Sequence, residues 1–250
     1  MISCKVVSME PITIILIISV LGPVIGSFIG VIRKPSMLLM YNMLSFAAGV
    51  MLAISFLQLI PESIEFSSPI LCVVGVLIGA LVMYILDKLI PHIHPELCNP
   101  EPGFKLKKTA LYLLIGIFLH NFPEGMAIAV GTISSMKVSL AIALGITIHN
   151  IPDGICTSAP YYASSRKKLK AFLLSSSTAI PIIAGFFTAK YFYAIISDNF
   201  IGIIIAATAG LMIYISADEL IPCSCCRNSH HSTIFSLIGG VVFVVLLGMI

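Results

Sequence analysis

The sequence predicts an all-α integral membrane protein with eight transmembrane helices. Apolar residues make up 58% of the 250 residues and charged residues only 10%, with a mean hydropathy of +1.08. A soluble domain carries about 25% charged residues, so this composition cannot cover a water-facing surface. The apolar residues fall into eight runs of about 20 residues, the length that crosses a bilayer as a helix. Even the longest linker, 91–108, is too short for a soluble domain, so we expect one membrane domain over 1–250.

Each predicted helix is an apolar run that ends at a polar or helix-breaking linker. The first run is too long for the apolar part of a cleaved signal peptide and long enough to span. In chain order, the predicted helices are 11–32 before "RKPS", 37–60 before "PESIEFSSP", 69–90 before "PHIHPELCNPEPGFKLKK", 109–131 before "SSMK", 137–160 before "SSRKKLK", 169–193 before "SDN", 199–222 before "CSCCRNSHH", and 231–250.

The distribution of Lys and Arg predicts the orientation of the chain. Eleven of the 14 basic residues lie in, or within three residues of, the linkers between helices 1 and 2, 3 and 4, 5 and 6, and 7 and 8. Cytoplasmic loops carry the excess of basic residues. We therefore expect a multi-pass protein of the plasma membrane with both termini outside and the 91–108 linker in the cytosol. The net charge of +3 does not suggest nucleic acid, and the seven cysteines do not form a secreted disulfide pattern.

One polar phrase occurs twice, as "HNFPEGMAIAVG" at 120–131 and "HNIPDGICTSAP" at 149–160. Residues four apart share a helix face, so each copy places a histidine above a carboxylate: His120 with Glu124, and His149 with Asp153. Both pairs fall inside predicted spans, where a charge costs about 2.5–3.5 kcal/mol and normally faces a cavity or a partner. The proline in each copy removes one helical hydrogen bond and frees a carbonyl oxygen at the same depth.

A bound divalent cation would account for this chemistry. It neutralises two carboxylates that would otherwise repel each other, and it accepts imidazole nitrogen and carboxylate oxygen as ligands. Asn121 and Asn150 add neutral oxygen donors beside the histidines. The alternative is a structural cluster of hydrogen bonds between helices. Two copies with the same Asn and Pro spacing favour the cation.

These phrases resemble the ZIP (Zrt/Irt-like) divalent metal transporters, in particular the bacterial and archaeal-type zinc transporter branch. Two further stretches are similar to that family, "SFAAGVMLAISFLQLIPE" at 45–62 and "AATAGLMIYISADELIP" at 206–222. The resemblance implies uptake of a divalent cation toward the cytosol, with Zn²⁺ the first expectation and Fe²⁺, Mn²⁺, Co²⁺ and Cd²⁺ as other candidates. It also implies an elevator-like shift of one helix group against the other. The metal is then a transported substrate and no cofactor is expected.

The resemblance implies a set of metal ligands between helices 4 and 5: His120, Asn121, Glu124, His149, Asn150 and Asp153. It adds Met51, a soft thioether in helix 2 that would by itself suggest packing. The sequence also departs from family members that hold two metals. Ile180 stands where such members have a carboxylate in helix 6, Asn150 replaces an aspartate and Asp153 a glutamate. We therefore expect one principal ion.

Other residues are candidates for the two mouths of the path. Acidic side chains at the outer end of helix 2 would concentrate cations at an entrance, although a solvated loop explains them equally. On the cytosolic side, His, Cys and acidic residues could receive the metal, with a solvated loop or helix end as the alternative. The entrance candidates are Glu62 and Glu65; the exit candidates are His92, His94, Asp218, Glu219, Cys223, Cys225, Cys226, His230 and His231.

Two other functions compete with transport as explanations of these residues. An intramembrane metal-dependent hydrolase needs a His-Glu-x-x-His string, which the sequence lacks, and both carboxylates would already serve as ligands. A proton or ion channel could use the same His and Glu residues as a relay, although the paired asparagines favour metal. We expect no enzyme activity, a divalent metal ion and the lipid bilayer as partners, and leave open whether the chain forms a homodimer.

Overall fold

In a computed structural model, the residues that the structure describes are helical apart from short turns. The structure describes residues 9–32, 36–89, 114, 117–118, 121–129, 131–132, 136–193, 197–225 and 231–249. Those residues contain no strand, and seven of their helices are long and apolar enough to cross a membrane. The seven correspond to predicted helices 1–3 and 5–8. Predicted helix 4 is described mainly over 121–129, which is helical, so the count of eight spans stays a prediction.

We number the helices α1 to α8 so that α4 is the described segment 121–129. The others are α1, Met9–Ile32; α2, Met37–Ile54 continuing through Ser55–Leu59 into Ile60–Phe66; α3, Pro69–Leu89; α5, Met136–Ser165; α6, Lys168–Ser176 and Ala179–Tyr193; α7, Asp198–Ile215 continuing through Ser216–Leu220 into Ile221–Cys225; and α8, His231–Gly248.

Three predicted helix ends are wrong because the helices continue into linkers. The α2 helix runs to Phe66, beyond the predicted end at residue 60, since Pro61 and Glu62 suit the first turn of a helix. The α5 helix runs to Ser165, beyond residue 160, and passes through both of its prolines. The α7 helix runs to Cys225, so Cys223 and Cys225 are helical rather than part of a loop.

A wide π-turn interrupts both α2 and α7 at matching places. The pattern Met-x-x-Ile-Ser-x-x-x-Leu-Ile-Pro occurs at 51–61 and again at 212–222, and the π-turns are Ser55–Leu59 and Ser216–Leu220. A proline clashes with the carbonyl four residues before it, and a wider preceding turn moves that carbonyl aside. In each copy the serine hydroxyl donates to the carbonyl of the methionine, at 2.9 Å and 2.8 Å. The two helices therefore share the same local structure at this sequence pattern.

The helices pack most closely within two groups. One group contains α1, α5 and α6, with α4 approaching α6; the other contains α2, α3, α7 and α8, and the main contact between the groups is α2 against α5. Close approach depends on glycine in both groups. A Cβ added to Gly26 in α1 would lie 2.1 Å from the carbonyl oxygen of Ile151 in α5. One added to Gly79 in α3 would lie 1.9 Å from that of Ala207 in α7.

The α5 helix lies at the centre of the molecule. Its apolar span is 78% buried, whereas the spans of α3 and α8 are 22% and 17% buried. The exposed faces of those outer helices carry large apolar side chains, as expected for helices that face lipid. The repeated polar phrase of α5 is therefore surrounded by protein, where polar groups in a membrane are normally found.

Candidate metal site

Glu124 of α4 and His149 of α5 meet in the interior of the described helices. Both side chains are fully buried, and Oε1 of Glu124 lies 2.8 Å from Nε2 of His149. The other carboxylate oxygen, Oε2, accepts a hydrogen bond from Nδ2 of Asn150 at 3.0 Å. One carboxylate thus joins the first copy of the repeated phrase to the second. The predicted adjacency of helices 4 and 5 is present in the fold.

The imidazole of His149 is oriented by the backbone. Its Nδ1 lies 3.1 Å from the carbonyl oxygen of Gly145. A carbonyl oxygen can only accept, so Nδ1 carries a proton and Nε2 faces Glu124. This is the arrangement by which a second hydrogen bond fixes a metal-binding histidine in one orientation. At 2.8 Å a proton bridges Nε2 and Oε1. Both atoms are also ligands that a divalent ion accepts in place of that proton.

Both asparagines keep a buried oxygen atom without a hydrogen-bond partner. Asn121 donates from Nδ2 to the carbonyl oxygen of Thr178 in α6 at 2.7 Å, and Asn150 donates to Glu124. The Oδ1 atoms of Asn121 and Asn150 have no partner among the residues described. Buried polar atoms are nearly always satisfied, so such exceptions require an explanation. Two amide oxygens beside a buried carboxylate are the donors that a cation would use.

Two of the remaining predicted ligands, Asp153 and Met51, are buried, and the third, His120, is not among the described residues. Asp153 lies one helical turn beyond His149 and is 5% exposed. Met51 is buried in the apolar core cluster that also contains Ile142 and Ile146. Within the described part of the chain, no three His, Cys, Asp or Glu side chains form a close metal-binding group. The composition of the complete ligand set stays a prediction.

Helix α6 presents a different residue to the site from the one that the sequence suggested. Ile180 is 58% exposed and lines an apolar cavity of about 490 Å³ together with Phe122 and Pro123. The residue that contacts Asn121 of α4 is Thr178, which lies in the turn between the two segments of α6 and accepts through its backbone carbonyl. Sequence reasoning overlooked it because helix 6 is interrupted by a turn at 177–178, which changes the face that each residue presents.

The structure also contains a cluster of hydroxyl groups that the sequence analysis did not predict. It joins α1, α5 and α6 next to the backbone of Asp153. Ser27 Oγ donates to Ser175 Oγ at 2.7 Å, Ser175 lies against Thr157, and Thr157 donates to the carbonyl oxygen of Asp153 at 2.9 Å. Serine and threonine at these positions could have been noticed as polar residues within spans. Their contacts hold the backbone that carries Asp153.

The entrance and exit candidates are only partly described. Glu62 is partly buried and Glu65 exposed, both in the last segment of α2, and His231 is exposed at the start of α8. Asp218 and Glu219 lie in the π-turn of α7, partly buried. Cys223 is buried at 6% exposure, whereas Cys225 is exposed. Outside the described residues are His92, His94, Cys226 and His230.

Comparison with known proteins shows which family the sequence matches. The chain matches the family described as "ZIP Zinc transporter" over residues 2–109 and 98–248. It is 40% identical over 207 residues to the zinc transporter ZupT of Salmonella paratyphi A, an alignment that covers 79% of this chain and 80% of the relative. The ZupT proteins of Salmonella newport and Salmonella enteritidis match with the same identity and coverage. The chain therefore belongs to the ZIP family of zinc transporters.

Proposed function

We propose that this protein carries zinc, or a closely related divalent cation, across the membrane toward the cytosol through the buried centre between α4 and α5. The carboxylate of Glu124, held by His149 and Asn150, is the observation that carries the proposal. A carboxylate and an imidazole are suitable zinc ligands, and the unpartnered asparagine oxygens add neutral donors. The substrate assignment is supported by the zinc transporters that the chain resembles over four-fifths of their length. The family is one of transporters, so no enzyme activity is expected.

The packing of the helices supports movement of one group against the other. Within each group, glycines bring helix backbones into direct contact, as at Gly26 and Gly79. Between the groups, the three atoms nearest to a Cβ added to Gly145 of α5 are all side-chain atoms of α2, the nearest being Cδ1 of Ile54 at 2.7 Å. Side-chain surfaces can slide more readily than interlocked backbones. The buried centre lies entirely on the α4 and α5 side of this boundary and would move as a unit.

Uptake by the purified protein tests the proposal directly. Protein in liposomes that enclose a zinc-sensitive dye should produce a signal when Zn²⁺ is added outside, and protein-free liposomes should not. The same vesicles with a pH-sensitive dye and no metal test the proton-channel alternative. Acidification without metal, together with no zinc signal, would contradict transport.

Replacement of His149 should change the preference among metals. His149→Ala removes a nitrogen ligand but leaves both carboxylates and the net charge of the buried centre. We expect slower zinc uptake and a relative gain for harder ions such as Mn²⁺, which prefer oxygen ligands. Competition of each ion against radioactive zinc measures this shift. Equal losses for zinc and manganese would indicate a structural role for the imidazole.

The predicted orientation can be tested at Cys225. This thiol is exposed at the end of α7, whereas Cys72, Cys156 and Cys223 are buried. With both termini outside, Cys225 faces the cytosol, and a membrane-impermeant thiol reagent should label it only after cells are opened. Comparing wild type with Cys225→Ser isolates its signal from those of other thiols. Labelling of Cys225 in intact cells would reverse the topology.

A further inference from the structure

Sulfur-containing side chains from three helices lie in one cluster, on the predicted cytosolic side of the candidate metal site. Cys156 of α5 and Cys223 of α7 are 3% and 6% exposed and form one buried cluster with Leu44 of α2. Met40, also in α2, packs against this cluster. Two thiols and a thioether therefore lie in one buried cluster that includes residues of both helix groups. None of these contacts is needed to explain the centre at Glu124.

The two thiols lie between the buried carboxylate of Asp153 and the acidic residues of α7. Cys156 follows Asp153 by three positions, so the two share a face of α5. Cys223 follows Glu219 by four positions, although the π-turn ends between them. Cys156 is close enough to interact electrostatically with both Asp153 and Cys223, and Cys223 with both Glu219 and Asp218. Potential ligands therefore continue from the buried centre toward the predicted cytosolic end.

The chemistry of these side chains selects soft cations. Two thiolates neutralise a divalent ion, so the resulting complex carries no net charge and tolerates its apolar neighbours Leu44 and Leu220. A coordinated thiol gives up its proton to solvent or to a nearby carboxylate, and no electron is transferred. The Met40 thioether suits the same class of ion. Zn²⁺ and Cd²⁺ fit this donor set, whereas Mn²⁺ and Mg²⁺ prefer oxygen.

We propose that Cys156 and Cys223, assisted by Met40, form a second metal station through which the cation passes after it leaves the centre at Glu124 and Asp153. The proposal rests on the proposed transport function. It also changes the predicted exit site. Cys223 binds the ion together with Cys156, rather than with the Cys and His residues that follow Cys223 in the sequence.

Cadmium binding to the purified full-length protein tests the station independently of transport. Cd²⁺ bound to thiolates gives an ultraviolet charge-transfer band that carboxylate and imidazole ligands do not produce. Titration of wild type with Cd²⁺ should produce the band. Both Cys156→Ser and Cys223→Ser should weaken the apparent affinity by more than about tenfold, the effect that loss of even an outer-shell partner can have. Cys72→Ser, a buried cysteine of α3, is the matched control and should keep the band. Cys225→Ser separates this station from the exit candidate at Cys225, and the proposal requires that the band persist in that variant.

A second measurement needs no variant. In wild-type protein, Cd²⁺ should protect Cys156 and Cys223 together from alkylation, as read by mass spectrometry of their peptides, and should leave Cys72 unaffected. A band that disappears in Cys225→Ser but survives in Cys156→Ser, or protection of Cys223 without Cys156, would overturn the proposal. Because the band reports sulfur ligands alone, its absence in a protein that transports zinc would reject the station and leave the transport function standing.

Discussion

Glu124→Gln is expected to reduce zinc uptake by about 100-fold or more. Glutamine keeps the size of the side chain and can still bond to neighbours, but it removes the negative charge from a site with no exposure to water. A divalent ion left without that charge in a low-dielectric interior is strongly destabilised. Loss of an outer-shell partner alone costs 10- to 100-fold in metal affinity, so loss of a carboxylate ligand should cost at least about as much.

Asp153→Asn should have a similar effect, because the prediction assigns the second compensating charge to Asp153. Asp198→Asn, an exposed residue in the first turn of α7, is the control that removes a carboxylate away from the site. Radioactive zinc uptake, normalised to the amount of protein in the membrane, gives the result. Wild-type rates in both Glu124→Gln and Asp153→Asn would refute a transmembrane metal site at these residues.

The sequence predicted the helical architecture because membrane insertion imposes a simple rule on composition and length. Seven of the eight predicted spans correspond to described helices, and none of the seven is misplaced along the chain. Helix ends were less predictable. Linker residues such as those after Pro61 can extend a helix beyond the apolar run, and hydropathy does not register that extension.

The meeting of the two repeated phrases could also be predicted in part. Helical spacing correctly placed Glu124 and His149 toward a shared interior, and the structure joins them at 2.8 Å. Spacing could not reveal that Asn150 would bond to Glu124, or that Thr178 would contact Asn121, because both contacts depend on the relative rotation of neighbouring helices. Ile180, which the resemblance places where other members have a carboxylate, is 58% exposed in this fold.

The buried thiol pair shows a further limit of sequence patterns. Cys223 stood in a Cys- and His-rich stretch that suggested a solvent-exposed linker, yet the helix continues through it and turns its side chain inward. Cys156 carried one usable signal, its position three residues beyond Asp153 on the same face. The two cysteines are 67 positions apart in the sequence, and they share one buried cluster because α5 and the end of α7 both pack against α2.

Gly26→Ala is expected to disrupt folding, whereas Gly145→Ala is expected to be tolerated. The new Cβ at residue 26 would lie 2.1 Å from the carbonyl oxygen of Ile151, so α1 and α5 must separate along their contact. Overpacking costs about 1–3 kcal/mol and sometimes more, and a clash between backbones should fall at the upper end. At residue 145 the nearest atom is the end of the Ile54 side chain, which can rotate away. Alanine is also the better helix former by about 1 kcal/mol.

The yield of monodisperse protein and its thermal unfolding in detergent measure both effects. Equal stability of the two variants would show that α1 and α5 are not held by direct backbone contact, and the division into two helix groups would lose its main support.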